Sequence, residues 1–357
     1  MHGVEYTENG ECPRAIRDAS PLYAPDMPGS NTAADVWVSE YITPWDVYLH
    51  GVTKVLAAAD TQWQAMQIVQ SGAYGKALVL DGKWQSCTGD EFLYHEPLVH
   101  PACLSFIETA GRPPKSLLIL GGGEGATLRE ALRWPSIERA AMVDIDGEVV
   151  EACKKHLEEM HRGAFDDPRA DVVIGDALAY VADPATKPDA GWDVIISDLS
   201  DPIEDGPSYQ LFTKEYFESL KAILSDGGVL AVQSGPVNPP ELRLHARLRT
   251  TLDAIFATTA SLVSCVPTYP APWSFILAGD GGDRGGLPTD MDPARVDDLL
   301  AEHVRPFNNT TLRMFDGVAC RGLYATPKHL RDAIAAEDTV YTKDSPPKFF
   351  GSGNVAE

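Results

Sequence analysis

The sequence predicts an α/β protein, a doubly wound and mostly parallel sheet preceded by a small antiparallel β unit. Three observations predict it. From Ser116 onward short apolar runs alternate with amphipathic segments, which is the pattern of β–α–β units with helices on both faces of a sheet. A glycine-rich turn, Gly121-Gly122-Gly123-Glu124-Gly125, joins the first apolar run to the first amphipathic one. Upstream, Asp81-Gly82 between Ala77–Leu80 and Lys83–Cys87 is a strong hairpin signal, so antiparallel strands come before the α/β unit.

Residues 1 to 34 are rich in Pro, Gly, Ser, Asn and Asp with little periodicity and read as a poorly ordered tail. Residues 35–105 form the small β unit, with short strands at Ala65–Val69 and Ala77–Leu80 and turns at Ser71-Gly72 and Asp81-Gly82. Phe92, His95, Val99 and Cys103, spaced by three and four, predict a helix over Glu91–Leu104. Residues 106–345 carry the α/β alternation and 346–357 a terminal tail. Strands are expected at Ser116–Leu120, Ala140–Val143, Ala170–Ile174, Trp192–Ile196 and Gly228–Val232. Helices are expected at Ala126–Leu132, Gly147–Met160, Ala177–Ala182, Lys214–Leu224, Ala294–Leu300 and Pro327–Ala335, with Trp134-Pro135 stopping the first. Residues 280–295 read as an exposed loop. The arrangement is Rossmann-like and methyltransferase-like, with a ligand site beyond the carboxyl ends of the strands.

The chain has 357 residues, enough for a large core, and a formal charge of −23 from 29 basic and 52 acidic side chains. Such a field disfavours nucleic acid and anionic membrane as partners and suits a cationic small molecule. Six scattered cysteines without a C-x-x-C pair indicate neither a zinc site nor a disulfide framework, and no metal is expected. With no basic-then-apolar leader and no apolar run near 18 residues, a cytoplasmic location is expected.

The glycines do not keep the dinucleotide spacing, and Glu124 inside the turn would repel a pyrophosphate. Asp144, about 20 residues on at the next strand end, is where nucleoside-binding sheets place an acid for ribose hydroxyls. The expected ligand is therefore a nucleoside without phosphate, carrying positive charge. Asp176, Asp198 and Asp201 join Glu124 and Asp144 at the strand ends. Strand-end acids commonly serve as helix caps, but five in one crevice raise one another's pKa unless a cation occupies the site.

In order and spacing, the glycine-rich turn, Val143-Asp144-Ile145-Asp146, Gly175-Asp176 and Asp198-Leu199-Ser200-Asp201-Pro202 resemble the polyamine aminopropyltransferases, the spermidine and thermospermine synthase family. Gln64, Tyr74-Gly75, Val79-Leu80-Asp81-Gly82, Asp90 to Glu96 and Pro267-Thr268-Tyr269-Pro270 extend the resemblance over roughly residues 36–345. It implies decarboxylated S-adenosylmethionine as co-substrate, no prosthetic group, a polyamine as acceptor and a homodimer. It implies a donor pocket of Gln64, Gly121, Gly123, Glu124, Asp144, Ile145, Asp176, Ala177 and Asp198. Within it Asp144 would hold the ribose, Asp176 the adenine amino group, and Glu124, Gln64 and Asp198 the aminopropyl arm. The catalytic assignment is Asp198 as base with Tyr94 as its hydrogen-bonding partner. Tyr94, His95, Asp201, Gln233, Tyr269 and Trp273 fall to the acceptor, and the loop Pro202–Leu211 to closure over it.

Leu199 after the first aspartate, Glu124 in the turn, Tyr94 to Ala102, Ile203 to Leu211 and Gln233 to Pro236 resemble the thermospermine branch, implying spermidine as acceptor. Pro267 to Pro270 resembles the spermidine-synthase version and keeps putrescine as the alternative. Two other readings stand beside these: a methyltransferase using intact S-adenosylmethionine on the same fold, and a polyamine-binding protein without catalysis.

Overall fold

The computed structural model describes residues 34, 36–43, 46–202, 208–282, 284–288 and 290–347. Both terminal tails fall outside these residues, except 34, 346 and 347, as does the stretch 203–207 of the expected closing loop.

The first sheet is antiparallel, in the order β1-β2-β3-β4-β5: Val36–Thr43, Asp46–Asp60, Ala65–Ser71, Lys76–Leu80 and Lys83–Cys87. Its last hairpin turns on Asp81 at φ 49° and Gly82 at φ 75°, the two positive values that a two-residue primed turn needs. The sequence predicts only short strands here. β2 instead runs 15 residues, with register shifts against β3 between Val52 and Lys54 and between Val55 and Ala57. Those irregularities break the alternation on which strand recognition depends.

The helix α1 extends over Phe92–Ala110, six residues past its expected end, and contains Pro97 and Pro101. Pro97 removes the N–H that would bond to the Leu93 carbonyl, and Ser264 Oγ donates to that carbonyl instead at 2.6 Å. Burial from Tyr94 to Ile107 supplies the stabilisation that propensity lacks.

The second sheet has seven strands. These are β6 Ser116–Gly121, β7 Arg139–Asp144, β8 Ala170–Ile174, β9 Trp192–Asp198, β10 Leu224–Pro236, β11 Thr258–Ser264 and β12 Trp273–Gly279, ordered β11-β12-β10-β9-β6-β7-β8. β10, β9, β6, β7 and β8 are parallel, whereas β12 pairs antiparallel with both β10 and β11. The two antiparallel strands, and the helices Leu242–Asp253 and Gly317–Tyr324, were not predicted. The expected helix Gly147–Met160 is two, Gly147–His156 and Glu158–His161, because Leu157 leaves helical geometry at φ −115°, ψ 38°. Pro293–His303 and Lys328–Ala336 stand close to expectation, the first starting inside the expected 280–295 loop.

Apolar clusters fill both faces of this sheet. One is built from α1 with Leu117, Ile119, Val194 and Phe275, the other from Leu118, Ile195, Phe217 and Leu248. The chain proceeds from β6 outward to β8, then returns to β9 on the other side of β6. The direction of winding therefore reverses between β6 and β9, which opens a crevice at their carboxyl ends.

Candidate functional site

The turn after β6 is shaped by what must approach it. A β-carbon on Gly121, at φ 86°, would lie 2.2 Å from the Asp198 carbonyl oxygen; one on Gly122 would lie 3.1 Å from Asp198 Oδ2, and one on Gly123 2.8 Å from Asp144 Oδ2. Bare backbone lets two carboxylates close on the turn. Gly125, at φ 79°, then starts the helix Ala126–Leu132.

The crevice holds a cavity with about 810 Å³ of empty space, open mouth included. All nine residues expected for the donor line it: Gln64, Gly121, Gly123, Glu124, Asp144, Ile145, Asp176, Ala177 and Asp198. Leu78, Leu80 and Gln85 of the first sheet, with Val143, Val149 and Leu211, are also in the wall. The first sheet is thus part of the cavity, where Leu80 belongs to a stretch quoted above and Leu78 and Gln85 are new.

Asp198 accepts hydrogen bonds from Tyr94 Oη on Oδ1 at 2.7 Å and from Thr127 Oγ1 on Oδ2 at 2.6 Å. Desolvation, then Glu124, hold its carboxyl above the ordinary value against those bonds. Asp144 accepts from the Asp146 N–H at 2.9 Å and is raised to about 6 by burial, with Glu124 adding to the effect. Asp176 caps the helix Ala177–Ala182 through the Leu178 N–H at 2.8 Å, so the capping role and a place on the cavity wall coexist. Gln64 lines the cavity while its amide donates to Asp146 Oδ2 at 3.1 Å.

Glu124 is not a bare charge. His95 Nε2 lies 2.8 Å from Glu124 Oε1, and His95 Nδ1 lies 2.9 Å from Glu91 Oε2. Burial would lower the His95 pKa, but these carboxylate bonds raise it to about 10. His95, expected at the acceptor, has both ring nitrogens engaged by the protein's own acids and is 1% exposed. A direct contact with an acceptor would require one of those bonds to open. The crowding of acids at the strand ends is therefore relieved in part by the chain itself.

The remaining expected acceptor residues lie beside the cavity in one connected set. Gln233 Nε2 donates to Asp201 Oδ1 at 3.1 Å and to the Leu199 carbonyl at 2.7 Å, and Trp273 Nε1 donates to Gln233 Oε1 at 3.2 Å. The Tyr269 ring meets Trp273 edge-on at 4.7 Å and Tyr94 at 6.0 Å, and its hydroxyl donates to the Gln85 carbonyl. Burial raises Asp201 to about 6, with the Gln233 bond and the Lys83 charge pulling the other way.

Thr127, Glu91 and Arg129 were missed by sequence reasoning. Thr127 had a local signal, a hydroxyl in the first turn of the helix behind the glycines, and Glu91 lies in the quoted stretch Asp90 to Glu96 without a role assigned to it. Among the described residues, His95, Glu124 and Asp198 present ligand atoms within 4.8 Å of one another, a set of the type that binds a metal ion. Each is already hydrogen-bonded within the protein. Five described cysteines are all free thiols. Among the described residues no helix is long and apolar enough to cross a membrane.

Comparison with known proteins now adds to the geometry. Residues 91–282 match the family model described as the spermine/spermidine synthase domain, and residues 36–87 the spermidine synthase tetramerisation domain. A polyamine aminopropyltransferase of Synechococcus sp. (strain JA-3-3Ab) is 51% identical over 312 residues, covering 87% of this chain and 97% of that protein. One from Aeropyrum pernix is 39% identical, over 87% of this chain and 94% of that protein. A crystal structure of spermidine synthase from Thermotoga maritima superposes with TM-score 0.71 at 29% identity, over 85% of this chain and 95% of that one. A spermidine synthase in complex with the transition state analogue AdoDATO gives 0.72 at 29% identity, over 85% and 96%.

Proposed function

The chain belongs to the spermine/spermidine synthase family, and from that premise we propose that it moves the aminopropyl group of decarboxylated S-adenosylmethionine to spermidine, giving thermospermine and methylthioadenosine. The observation that carries the reading is Asp198: a half-buried carboxylate at the end of β9, bonded to Tyr94 and Thr127, with its pKa raised. An ammonium is no nucleophile, so the acceptor must lose a proton as it attacks the carbon next to the sulfonium. A carboxylate whose affinity for a proton is raised by burial takes that proton more readily. The attacking nitrogen forms its bond to carbon, the carbon–sulfur bond breaks with its pair going to sulfur, and the thioether leaves uncharged. Holding the amine in line contributes more to the rate than the proton transfer does.

In this reading Asp144 takes the ribose and Asp176 the adenine amino group. Glu124, Gln64 and Asp198 surround the aminopropyl arm, and each charged hydrogen bond contributes about 1.5–3 kcal/mol. A donor that kept its carboxylate would set an anion against the same acids, which also disfavours the methyltransferase reading. Asp201, Gln233, Tyr269 and Trp273 take the acceptor, the two rings offering an apolar wall for a methylene chain.

The preference for spermidine over putrescine rests on Leu199 and the other stretches of the thermospermine type. Chromatography that separates spermidine, spermine and thermospermine after incubation with each acceptor tests it. Faster turnover of putrescine would overturn the preference and leave the transferase reading standing. The match of residues 36–87 to a domain named for tetramerisation supports self-association; a homodimer, the cytoplasm as compartment and the division at residue 105 belong to the same reading.

A further inference from the structure

We propose that Arg129 is a positioning residue, which fixes the orientation of Glu124 through Glu91 and His95 and so governs how firmly the donor's aminopropyl arm is held without touching it. The proposal rests on the reading of Glu124 given above. Arg129 is 3% exposed and clamps Glu91 with two parallel bonds, Nη1 to Oε1 at 3.0 Å and Nη2 to Oε2 at 2.8 Å. Its Nη1 also donates to the Met160 carbonyl and its Nε to Glu130 Oε1 at 2.7 Å, so the guanidinium cannot swing. Glu91, held in this way, presents Oε2 to His95 Nδ1 at 2.9 Å, and His95 Nε2 then meets Glu124 Oε1 at 2.8 Å.

His95 is held between Glu91 and Glu124, whose bonds raise its pKa to about 10, so near neutral pH both ring nitrogens carry hydrogen. The ring is an imidazolium and has one orientation. The connections also close on themselves. Glu124 lies in the turn directly before the helix that carries Arg129, while Glu91 and His95 stand at the start of α1. The glycine-rich turn is thereby pinned to α1 by charge, and Glu124 is left with Oε2 to face the cavity. Arg129 and His95 thus stand among Glu91, Glu130 and Glu124, and Glu124, tied to His95, supplies direction to the donor's arm. Buried ion pairs of this kind add little net stability beside an apolar replacement, whereas they do fix geometry.

The groups facing His95 are Glu91, Glu124, the Tyr94 ring at 4.9 Å and, through its charge, Asp198. The test uses Glu91→Gln, which keeps shape and removes charge, with Arg129→Lys as the conservative partner. Imidazole nitrogen NMR of the intact wild-type protein near neutral pH, assigned by comparison with His95→Gln, is expected to show two protonated nitrogens. In Glu91→Gln the ring is expected to fall to one. In the same variant KM for decarboxylated S-adenosylmethionine is expected to rise about tenfold with kcat changed less than threefold, the signature of lost ground-state and transition-state binding together. Arg129→Lys is expected to lie between wild type and Glu91→Gln. A neutral His95 in the wild type, or variants that lose thermal stability while keeping the donor KM, would overturn the proposal. If the wild type transfers no aminopropyl group, the functional reading fails, and the NMR comparison still decides whether Arg129 and Glu91 set the state of His95.

Discussion

Asp198 and Tyr94 are 104 residues apart in the chain and 2.7 Å apart in the fold. Replacing Asp198 by Asn keeps the shape and removes the proton acceptor. The variant is expected to lose about 10²–10⁴-fold in kcat with the fold retained; kcat within a few-fold of wild type would discard the base assignment. Tyr94→Phe removes one of two hydroxyls bonded to Asp198 and should cost roughly tenfold, because Thr127 remains.

The half-buried acids also leave a mark on stability. Asp201 and Asp144 are both raised from 3.8 to about 6, burial being the first cause. Protonated, they favour the folded state, and that contribution is complete below about pH 3.8 and lost as pH rises through about 6. Carboxylates held low by arginines, such as Glu91 and Asp193, act in the opposite sense. The difference between two proteins isolates the effect: the melting temperature of Asp201→Asn minus that of wild type, without ligand, should climb between about pH 4 and 6. A flat difference would mean that Asp201 titrates as it does in water.

At the scale of elements, the turn between β6 and its helix leaves little room for side chains. A β-carbon at Gly125 would meet Phe165 at 2.5 Å and His161 at 2.8 Å, and φ there is +79°. Gly125→Ala should cost about 2–4 kcal/mol in urea unfolding, strain and overpacking together. Gly175 has an open approach and no positive φ; Gly175→Ala, the control, should stay within about 0.5 kcal/mol. Equal losses would show that the turn is not the constraint. The elements that were legible in the sequence share one property: each apolar run sits between turn signals of its own. Ser116–Leu120 and Ala126–Leu132 are of that type. β11, β12 and the helix Leu242–Asp253 were not legible, because their polar faces carry buried partners. His245, fully buried, bonds Ser234, Ser261 and Ser274 and keeps its pKa far down, near 3, by burial and then Arg249. In sequence, such serines read as loop.

For the whole molecule, the net charge of −23 acts before any contact is made. Both proposed substrates are cations, so their encounter with the acidic crevice should be steered. kcat/KM for the polyamine is expected to fall several-fold between about 0.05 and 0.5 M salt, more steeply than kcat, as the screening length shrinks. Independence from salt would show that only short-range contacts guide the acceptor.

The five parallel strands, the glycine-rich turn and the acids at the strand ends were fixed by local pattern, since each depends on residues within one or two turns of chain. Which acids stay exposed to a ligand was not. Thr127 reaches Asp198 across 71 residues, and Glu91 and Glu124 share His95 between them. Those pairings exist because α1 packs against the helix that follows the turn, and a sequence pattern records that a face is apolar without recording which neighbour will cover it. Tertiary packing alone decided that Glu124 is bonded to His95 while Asp198 is bonded to the hydroxyls of Tyr94 and Thr127.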